Sequence, residues 1–415
     1  MKNKLFLIIV LLLPFDHFIY APGGYLKQVA IYPIFFYFFY YLREMKIGKA
    51  QIVISILTLF NSILFSLIKN DFSQLTKIIF VVIVFNIIFM LFNHAKKTIN
   101  LDTFIKYIVW SSIIPIIFGL YQIQSRFTGF QLSIINDFIG FISGNILNNT
   151  ARLSYFQSEP AYAGIYLNIV LFLSFINFPS SNRYLKLIYS SIILLMIIFT
   201  GSVFSYFIFL FGVLGYLLCY RKHVIKYILI ILAVFLFTGV SFFNQIIDGY
   251  ALSRLNSLSS IFLDYEFLDI VSLDQSIFIR IMQPIMGLEI ALNSYFLPLG
   301  IENSYFFYPD LYLEYSAYLP KSTTQIEPII NREIRTTPNN LFVKILIEFG
   351  IIGFVYFSIF WIKMFKKIFL TYSLIFPVFC ILTAVILQID SYIYFTSLLT
   401  FLFIINETKN PNYNN

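Results

Sequence analysis

Apolar runs of about 20 residues recur along the whole chain and are separated by shorter polar stretches. A helix of that length crosses about 30 Å of hydrocarbon. The pattern predicts about twelve transmembrane helices, near residues 4–21, 27–42, 51–68, 75–93, 103–122, 160–178, 185–201, 203–220, 225–243, 338–361, 368–387 and 390–406. The predicted fold class is an all-α polytopic membrane protein with a large extracytoplasmic loop subdomain before the tenth span.

Composition supports a lipid environment for this chain of 415 residues. It is 59% apolar and 12% charged, whereas a soluble globular protein has about 45–50% apolar and about 25% charged residues. So few polar residues cannot cover the two or three cores of a soluble protein of this size. A soluble enzyme, a nucleic-acid binder and a secreted disulfide scaffold are therefore excluded. No cluster of metal-ligand type and no nucleotide motif is visible, so we expect neither a metal nor a cofactor.

The placement of basic residues predicts the orientation in the membrane. They gather in alternate connections, as at Arg43 to Lys49, Arg221 to Lys226 and Lys363 to Lys367. The short connections on the opposite side hold only Lys27, Lys69 and Lys77. By the positive-inside rule, the N-terminus is cytoplasmic, and an even number of spans returns the C-terminus to the cytoplasm. We expect a multi-pass membrane protein with its large loops extracytoplasmic.

The chain divides into four parts. We expect transmembrane helices 1–9 in residues 1–243, with an outer loop at about 123–159, a loop subdomain in 244–337, helices 10–12 in 338–406, and a tail in 407–415. Loops of such length usually bind something or cover a site. Within the subdomain, Ile281–Leu299 is apolar but interrupted by Pro284. We predict helices on the membrane surface or partly re-entrant there, and the alternative is a thirteenth span.

Arginines in the predicted outer loops are the first chemical signal. They are Arg126, Arg152, Arg254, Arg280, Arg332 and Arg335. Only Lys321 and Lys344 are comparable lysines, and this excess of arginine indicates bidentate binding of phosphate or carboxylate groups. The alternative is pairing with the loop carboxylates. Arg152, Arg280 and Arg335 are the strongest candidates, because each shortly precedes a predicted ordered element.

Glu159 and Pro160 open the sixth predicted span, and Tyr162 follows in its first turn. Proline fits the first helical turn, where its missing N–H has no cost. Glu159 can then cap the helix. It can equally act as a general base or bind sugar hydroxyls, because a half-dry position raises a carboxyl pKa.

A second helix start is predicted before the tenth span. Thr337 and Pro338 fit the N-cap and first turn, and Asn339 and Asn340 follow. Two such helix ends together with loop arginines would make a cradle for a diphosphate. Further along, Gly350 and Gly353 lie one turn apart and favour close helix packing. Glu348 and Lys344 have the spacing of a helical ion pair, and an ionisable residue within a span is a functional candidate.

These features resemble the O-antigen polymerase and O-antigen ligase group, the Wzy and WaaL families of bacterial polysaccharide assembly. The resemblance lies in about twelve spans, the large loop before the tenth, the segment Arg152…Glu159-Pro160…Gly164, and the run Asn340-x9-Gly350-x-x-Gly353. The ligase pattern has histidine where this chain has Asn339, and asparagine cannot take a proton at neutral pH. This difference favours the polymerase.

The resemblance implies a glycosyltransferase that elongates glycan on undecaprenyl diphosphate at the outer face of the inner membrane. Its partners would be the lipid-linked donor and acceptor, the bilayer, a chain-length regulator and a flippase, with no nucleic acid. Glu159, Arg152, Arg280 and Arg335 would be catalytic, with Arg126, Arg254, Arg332, Asn339, Asn340 and Tyr162 binding substrate. A ligase remains an alternative within the family, and a lipid-linked oligosaccharide flippase is an alternative of another class.

Overall fold

The structure, a computed structural model, describes residues 2–15, 28–137, 155, 160–220, 275–320, 323–368, 375–387 and 395–407. In these ranges the regular structure is helical and no strand occurs, so the predicted all-helical character is confirmed for them. The helices are α1 (Lys2–Leu11), α2 (Ile31–Tyr40), α3 (Lys49–Lys69), α4 (Leu75–Ala95), α5 (Leu101–Ser111), α6 (Ile113–Thr128), α7 (Pro160–Ile176), α8 (Arg183–Phe199), α9 (Val203–Tyr220), α10 (Gln275–Asn293), α11 (Tyr308–Glu314), α12 (Glu327–Ile330), α13 (Leu341–Ile368), α14 (Ile375–Leu387) and α15 (Phe395–Glu407).

Several of these helices are compatible with a membrane protein. Four segments are long and apolar enough to cross a membrane: Gln51–Lys69, Leu75–Ala95, Leu101–Ser125 and Leu341–Lys363. Shorter apolar helices occur at Ile31–Tyr40, Pro160–Ile176, Phe204–Leu214, Pro377–Ile386 and Thr396–Asn406. Helices thus lie where most spans are predicted. A total of about twelve spans stays a prediction, and the ninth, at 225–243, falls outside the described residues.

One face of α3 carries large apolar side chains that are exposed on the surface of the described protein. Ile56, Phe60, Leu64 and Ile68 are all more than 45% exposed. A helix with so much exposed apolar surface would be unfavourable in water. It is the surface expected of a helix whose outer side faces lipid.

The fifth predicted span is divided into α5 and α6, which meet at Ser112. Pro115 lies in the first turn of α6 and has no N–H to bond the carbonyl one turn earlier. The hydroxyl of Ser112 instead donates to the Val109 carbonyl at 2.6 Å. The proline therefore explains the interruption.

The larger hydrophobic core surrounds α7. Almost every side chain from Ala161 to Ser174 is buried, and α7 contacts α5, α8, α9 and α14. Aromatic rings extend this core toward the chain ends, where Phe104 stacks on Phe403 with centroids 4.3 Å apart. The start of α7 at Pro160 agrees with the prediction from proline chemistry.

A second hydrophobic core lies between α10, α11 and α13. It includes Phe278, Met282, Met286, Tyr308, Tyr312, Val343 and Ile347. Tyr308 donates its hydroxyl to the Gln283 carbonyl at 3.0 Å, which connects α11 to the kinked middle of α10 beside Pro284. This core packs against the first half of α13.

The inserted segment (residues 294–302) follows α10 and pairs with a break in α13. Gly350 has a φ of 68°, which interrupts the helix. Leu299 donates its N–H to the Ile347 carbonyl at 3.0 Å, while the Ile351 N–H bonds Phe296 O at 3.1 Å. A helix would join Ile351 to Ile347 directly, so the inserted segment satisfies both groups that the break separates.

The inserted segment contacts α3 well before the C-terminal end of that helix. Gly300 has a φ of 86°, and a Cβ there would lie 2.6 Å from the Ser62 Cα, so only glycine allows this approach. Ser62 precedes the end of α3 at Lys69 by roughly 10 Å, at about 1.5 Å per residue. The predicted surface helices of Ile281–Leu299 are thus one helix to Asn293, followed by irregular backbone.

Candidate functional site

Four charged side chains meet where the inserted segment passes between α4 and α13. We call Lys77, Glu302, Lys344 and Glu348 the buried ion cluster. Glu302 accepts from Lys344 Nζ through Oε1 at 2.8 Å and from Lys77 Nζ through Oε2 at 2.6 Å. Lys344 Nζ also lies 3.8 Å from Glu348 Oε1, the pair predicted from their spacing. Lys344 and Glu348 are 2% and 1% exposed, so each depends on its charged neighbours.

The backbone of Glu302 is held as firmly as its side chain. Its φ of 62° lies in the left-handed region, which is uncommon for a residue with a side chain. Its N–H donates to Glu348 Oε1 at 2.8 Å. Burial alone would raise the pKa of the Glu302 carboxyl, but the ammonium groups of Lys344 and Lys77 together hold this pKa below its usual range.

Apolar and polar contacts anchor the chain next to Glu302. Ile301 is buried against Ile78 and Val82 of α4. Its N–H donates to the Ser62 hydroxyl at 2.9 Å. Asn303 Nδ2 donates to the Leu299 carbonyl at 2.8 Å, which closes the turn. Contacts with α3 and α4 therefore fix the backbone that carries the Glu302 carboxylate.

Next to the buried ion cluster lies a partly exposed group that we call the Arg335 cluster: Asp71, Ser73, Tyr305 and Arg335. The Arg335 guanidinium lies over the Tyr305 ring, 4.5 Å from its centroid, and donates to Ser73 Oγ at 2.6 Å. It is 3.7 Å from Asp71 Oδ2. About a third of the Arg335 side chain is exposed.

Hydrogen bonds within the Arg335 cluster fix its charges. The Ser73 hydroxyl and backbone N–H both donate to Asp71 Oδ1, and Tyr305 donates to Asp71 Oδ2 at 2.5 Å. Chiefly the Ser73 hydroxyl, then Tyr305, lowers the pKa of Asp71 to about 2. Burial, followed by the bond to Asp71, raises the pKa of Tyr305 to about 12. Arg335 thus lies beside an ionised carboxylate and a neutral phenol at ordinary pH.

Further cations and an apolar cleft lie near these clusters. Lys69 Nζ lies 5.2 Å from the ring centroid of Phe307, at the end of α3. An apolar cleft of about 310 Å³ between α10, α13 and α14 is lined by Leu288, Phe342, Val343, Leu346, Phe354 and Ile386, with Asn340 also present. The site therefore combines positive charge, hydroxyl groups and a neighbouring apolar surface.

The described loop arginines have different partners. Arg280 lies over the Phe204 ring at 4.4 Å. Arg332 is exposed and donates to Asp310 Oδ1 at 3.1 Å, which is the carboxylate pairing that the sequence left open. Only Arg335 belongs to the Arg335 cluster. Arg280 precedes Gln283 by one helical turn, and Gln283 Nε2 donates to the hydroxyl of Thr336, the neighbour of Arg335, at 2.7 Å.

The other predicted site residues are more dispersed or lie outside the described residues. Tyr162 packs against the larger core, and Asn339 is partly buried just before α13. Arg126 belongs to the last turn of α6, and its side chain is not among those described. Arg152, Glu159 and Arg254 lie outside the described residues. Their predicted roles stay predictions.

Two local predictions around α13 were wrong. The helix begins at Leu341, three residues later than Pro338 would give, because Asn340 Oδ1 accepts the Val343 N–H at 3.1 Å and acts as the cap. Thr337 instead accepts from Lys344 Nζ at 3.2 Å. Gly350 does not mediate helix–helix packing, because it breaks the helix and admits the inserted segment.

Several residues of the site were not identified from the sequence. Asp71 and Ser73 lie in the short α3–α4 connection, and Glu302 lies within the predicted loop subdomain. Lys77 had a usable signal, because it is one of few lysines in a connection that the positive-inside rule keeps free of positive charge. In the structure Lys77 pairs with Glu302 at 2.6 Å.

No protein-family model matches this chain, and no curated protein is similar to it.

Proposed function

We propose that this protein is a polymerase of undecaprenyl-diphosphate-linked oligosaccharide repeat units. It would transfer the growing glycan to an incoming lipid-linked unit at the outer face of the inner membrane. The observation that carries the proposal is the Arg335 cluster: an arginine side chain, about a third exposed, whose guanidinium lies on the Tyr305 ring at the connection between two apolar helices. Such a position suits the diphosphate of a lipid-linked substrate.

The proposed glycosyl transfer requires a base for the acceptor hydroxyl and positive charge at the leaving group. An acceptor hydroxyl attacks the anomeric carbon of the donor glycan, the bond from that carbon to the diphosphate oxygen breaks, and the hydroxyl proton passes to a base. Negative charge develops on the departing undecaprenyl diphosphate, and the guanidinium groups of Arg335 and Arg280 would stabilise it. Arg152 would assist them, and Glu159 is the proposed base. The diphosphate is already a good leaving group.

The apolar cleft beside Asn340 supports a lipid substrate. Its lining is aliphatic and aromatic, and two of its members, Leu288 and Ile386, are more than 40% exposed on the outer surface of the helices. An isoprenoid chain could enter such a cleft sideways from the bilayer. Its head group would then lie near the start of α13.

A flippase for lipid-linked oligosaccharides is the second candidate. The break at Gly350 and the buried charges Lys344 and Glu348 on the same helix support it, because transporters often use discontinuous helices with charged residues. A ligase remains a third candidate, although Asn339 stands where the ligases have histidine.

Reconstitution separates the three candidates. The full-length protein in proteoliposomes would be given purified undecaprenyl-diphosphate-linked repeat units, and the products separated by size. A ladder of lipid-linked oligomers with release of undecaprenyl diphosphate is expected. Movement of intact units between leaflets without oligomers would support the flippase. Transfer of glycan to a different acceptor lipid would support the ligase, and either result would refute the polymerase.

A further inference from the structure

Glu302 occupies the centre of the buried ion cluster but is not suited to chemistry of its own. Both of its carboxylate oxygens accept from lysine ammonium groups, and its side chain is only 12% exposed. A general base must lie within reach of the substrate proton that it removes, and this carboxylate is buried between two ammonium groups. Glu302 therefore has to act through other residues if it contributes to the reaction.

The first connection from Glu302 runs to the underside of Arg335. Glu302 immediately precedes the 3-10 helix Asn303–Phe306, which carries Tyr305. The Tyr305 ring lies beneath the Arg335 guanidinium at 4.5 Å, and its hydroxyl bonds Asp71 at 2.5 Å. Any rotation of this short helix about Glu302 would displace the surface on which Arg335 rests.

The second connection runs along the chain that carries Arg335. Lys344 Nζ, which bonds Glu302, also donates to the Thr337 hydroxyl at 3.2 Å. Thr337 is two residues after Arg335 and is 9% exposed. Lys344 thus binds both the turn at Glu302 and the irregular segment that carries Arg335 through one ammonium group.

The conformation of Glu302 indicates that this position is under constraint. Its φ of 62° is unfavourable for a residue with a side chain, and such residues persist only where their surroundings hold them. Here the backbone N–H is bound by Glu348 and the side chain by two lysines. A glycine would adopt this turn more readily, but it would provide no carboxylate.

We propose that Glu302 is a positioning residue: bound by Lys77 and Lys344, it fixes the Arg335 guanidinium for the lipid diphosphate through Tyr305 and Thr337. The inference rests on the proposed function for its consequence in the reaction. Its structural content, that the Glu302 carboxylate determines the environment of Arg335, can be measured without any substrate.

The experiment that tests this is arginine modification of the full-length purified protein. Phenylglyoxal reacts with accessible guanidinium groups, and peptide mass spectrometry gives the rate at each arginine. In the wild-type protein, Arg335 should react with phenylglyoxal more slowly than the exposed Arg332. In Glu302→Gln the Arg335 rate should rise several-fold while the Arg332 rate stays unchanged. An unchanged Arg335 rate in this variant would overturn the proposal.

Matched variants separate positioning from a general loss of structure. Glu289→Gln removes a carboxylate that accepts from Tyr315 in the same part of the chain, and it should leave the Arg335 rate as it is. If Glu302→Gln does not fold, substitutions of the more exposed Lys77 are used for the same test. Lys77→Met should raise the Arg335 rate, and Lys77→Arg should preserve the slow reaction. Equal rates in these two variants would overturn the proposal.

A double-mutant comparison then tests the consequence for polymerisation. Glu302→Gln should lower the rate of oligomer formation roughly 10- to 100-fold, as expected for a misplaced catalytic contact. Adding Glu302→Gln to Arg335→Ala should cause little further loss, because one contact is lost in both. If the rate reductions of the two single variants instead multiply in the double variant, the proposal is overturned. If the wild-type protein makes no oligomers, the proposed function falls, while the modification result still decides the positioning.

Discussion

The two larger hydrophobic cores of the described residues, around α7 and around α13, differ in how their buried polar groups are paired. Around α7, buried hydroxyls bond within their own helix, as Ser174 does to the Leu171 carbonyl at 2.6 Å. Contacts that cross between helices there include neutral pairs such as Ser111 with Tyr166, at 2.9 Å. Around α13, by contrast, ion pairs join segments far apart in sequence, as Lys77 joins Glu302.

This difference indicates where the protein uses its polar groups for function. Buried charges are costly, and a well-packed apolar substitute is often as stable. The buried residues of α7 itself, in the described part of the chain, are all uncharged. The α13 region keeps buried charges, together with a broken helix and a left-handed glutamate, next to a partly exposed arginine. The comparison therefore places the candidate site in the second region.

The largest expected effect on stability comes from the buried ion cluster. Lys344→Met leaves Glu302 and Glu348 with less compensation in a buried position, and we expect a loss of about 3–5 kcal/mol in the free energy of unfolding. Lys97→Met, at an exposed position, should change it by less than about 0.5 kcal/mol. Reversible unfolding in mixed micelles measures both. Equal stabilities would show that the cluster is not an ionic contact.

The break in α13 should be the next most sensitive point. Gly350→Ala requires a left-handed alanine and places its Cβ 2.7 Å from the Phe296 carbonyl oxygen, so we expect a loss of about 3 kcal/mol. Gly129 has a similar φ of 67° but open space around it. Gly129→Ala should therefore cost only about 1–2 kcal/mol. Thermal unfolding of the two variants compares them, and a harmless Gly350→Ala would contradict the described break.

The same substitution in the two regions should have different effects. Ser62→Ala removes the acceptor of the buried Ile301 N–H, and we expect a loss of about 1–3 kcal/mol in unfolding free energy. Ser174→Ala removes only a donor to a carbonyl of its own helix, and we expect less than about 1 kcal/mol. Chemical unfolding of both variants is the measurement. A larger loss at Ser174 would reverse the comparison.

The smallest expected effect is the pH dependence of the Arg335 cluster. Hydrogen bonds lower the Asp71 pKa from 3.8 to about 2, so its contribution to stability is complete above the unfolded value. That contribution is lost as the pH falls toward about 2. The difference in melting temperature between wild type and Asp71→Asn should be constant above pH 5 and shrink below about pH 4. A difference that grows on acidification would contradict the assignment.

The sequence predicted the helices better than it predicted the site. Hydropathy located α3, α4 and α7 closely, because apolar length and a first-turn proline are local signals. The cap of α13 was misplaced because Thr337-Pro338 and Asn340 are both acceptable starts, and Lys344 decides between them by binding Thr337.

The buried ion cluster could not have been predicted from local patterns. Lys77 and Glu302 are separated by more than 200 residues, and nothing in either segment identifies the other. Gly350 fitted a small-residue packing motif equally well, and only the pairing with Leu299 shows that it is a break. Arg335 is one of the predicted site arginines, and its partners Asp71 and Ser73 are contributed by a distant connection.

Binding of the lipid diphosphate tests the central claim most directly. Undecaprenyl diphosphate would be titrated into the full-length protein in nanodiscs, comparing wild type with Arg335→Ala and with Arg183→Ala, an exposed arginine at the start of α8. The account predicts that Arg335→Ala weakens binding roughly 10- to 100-fold, as the loss of a charged hydrogen bond implies. Arg183→Ala should bind as tightly as wild type. Equal affinity of Arg335→Ala and wild type would contradict the account.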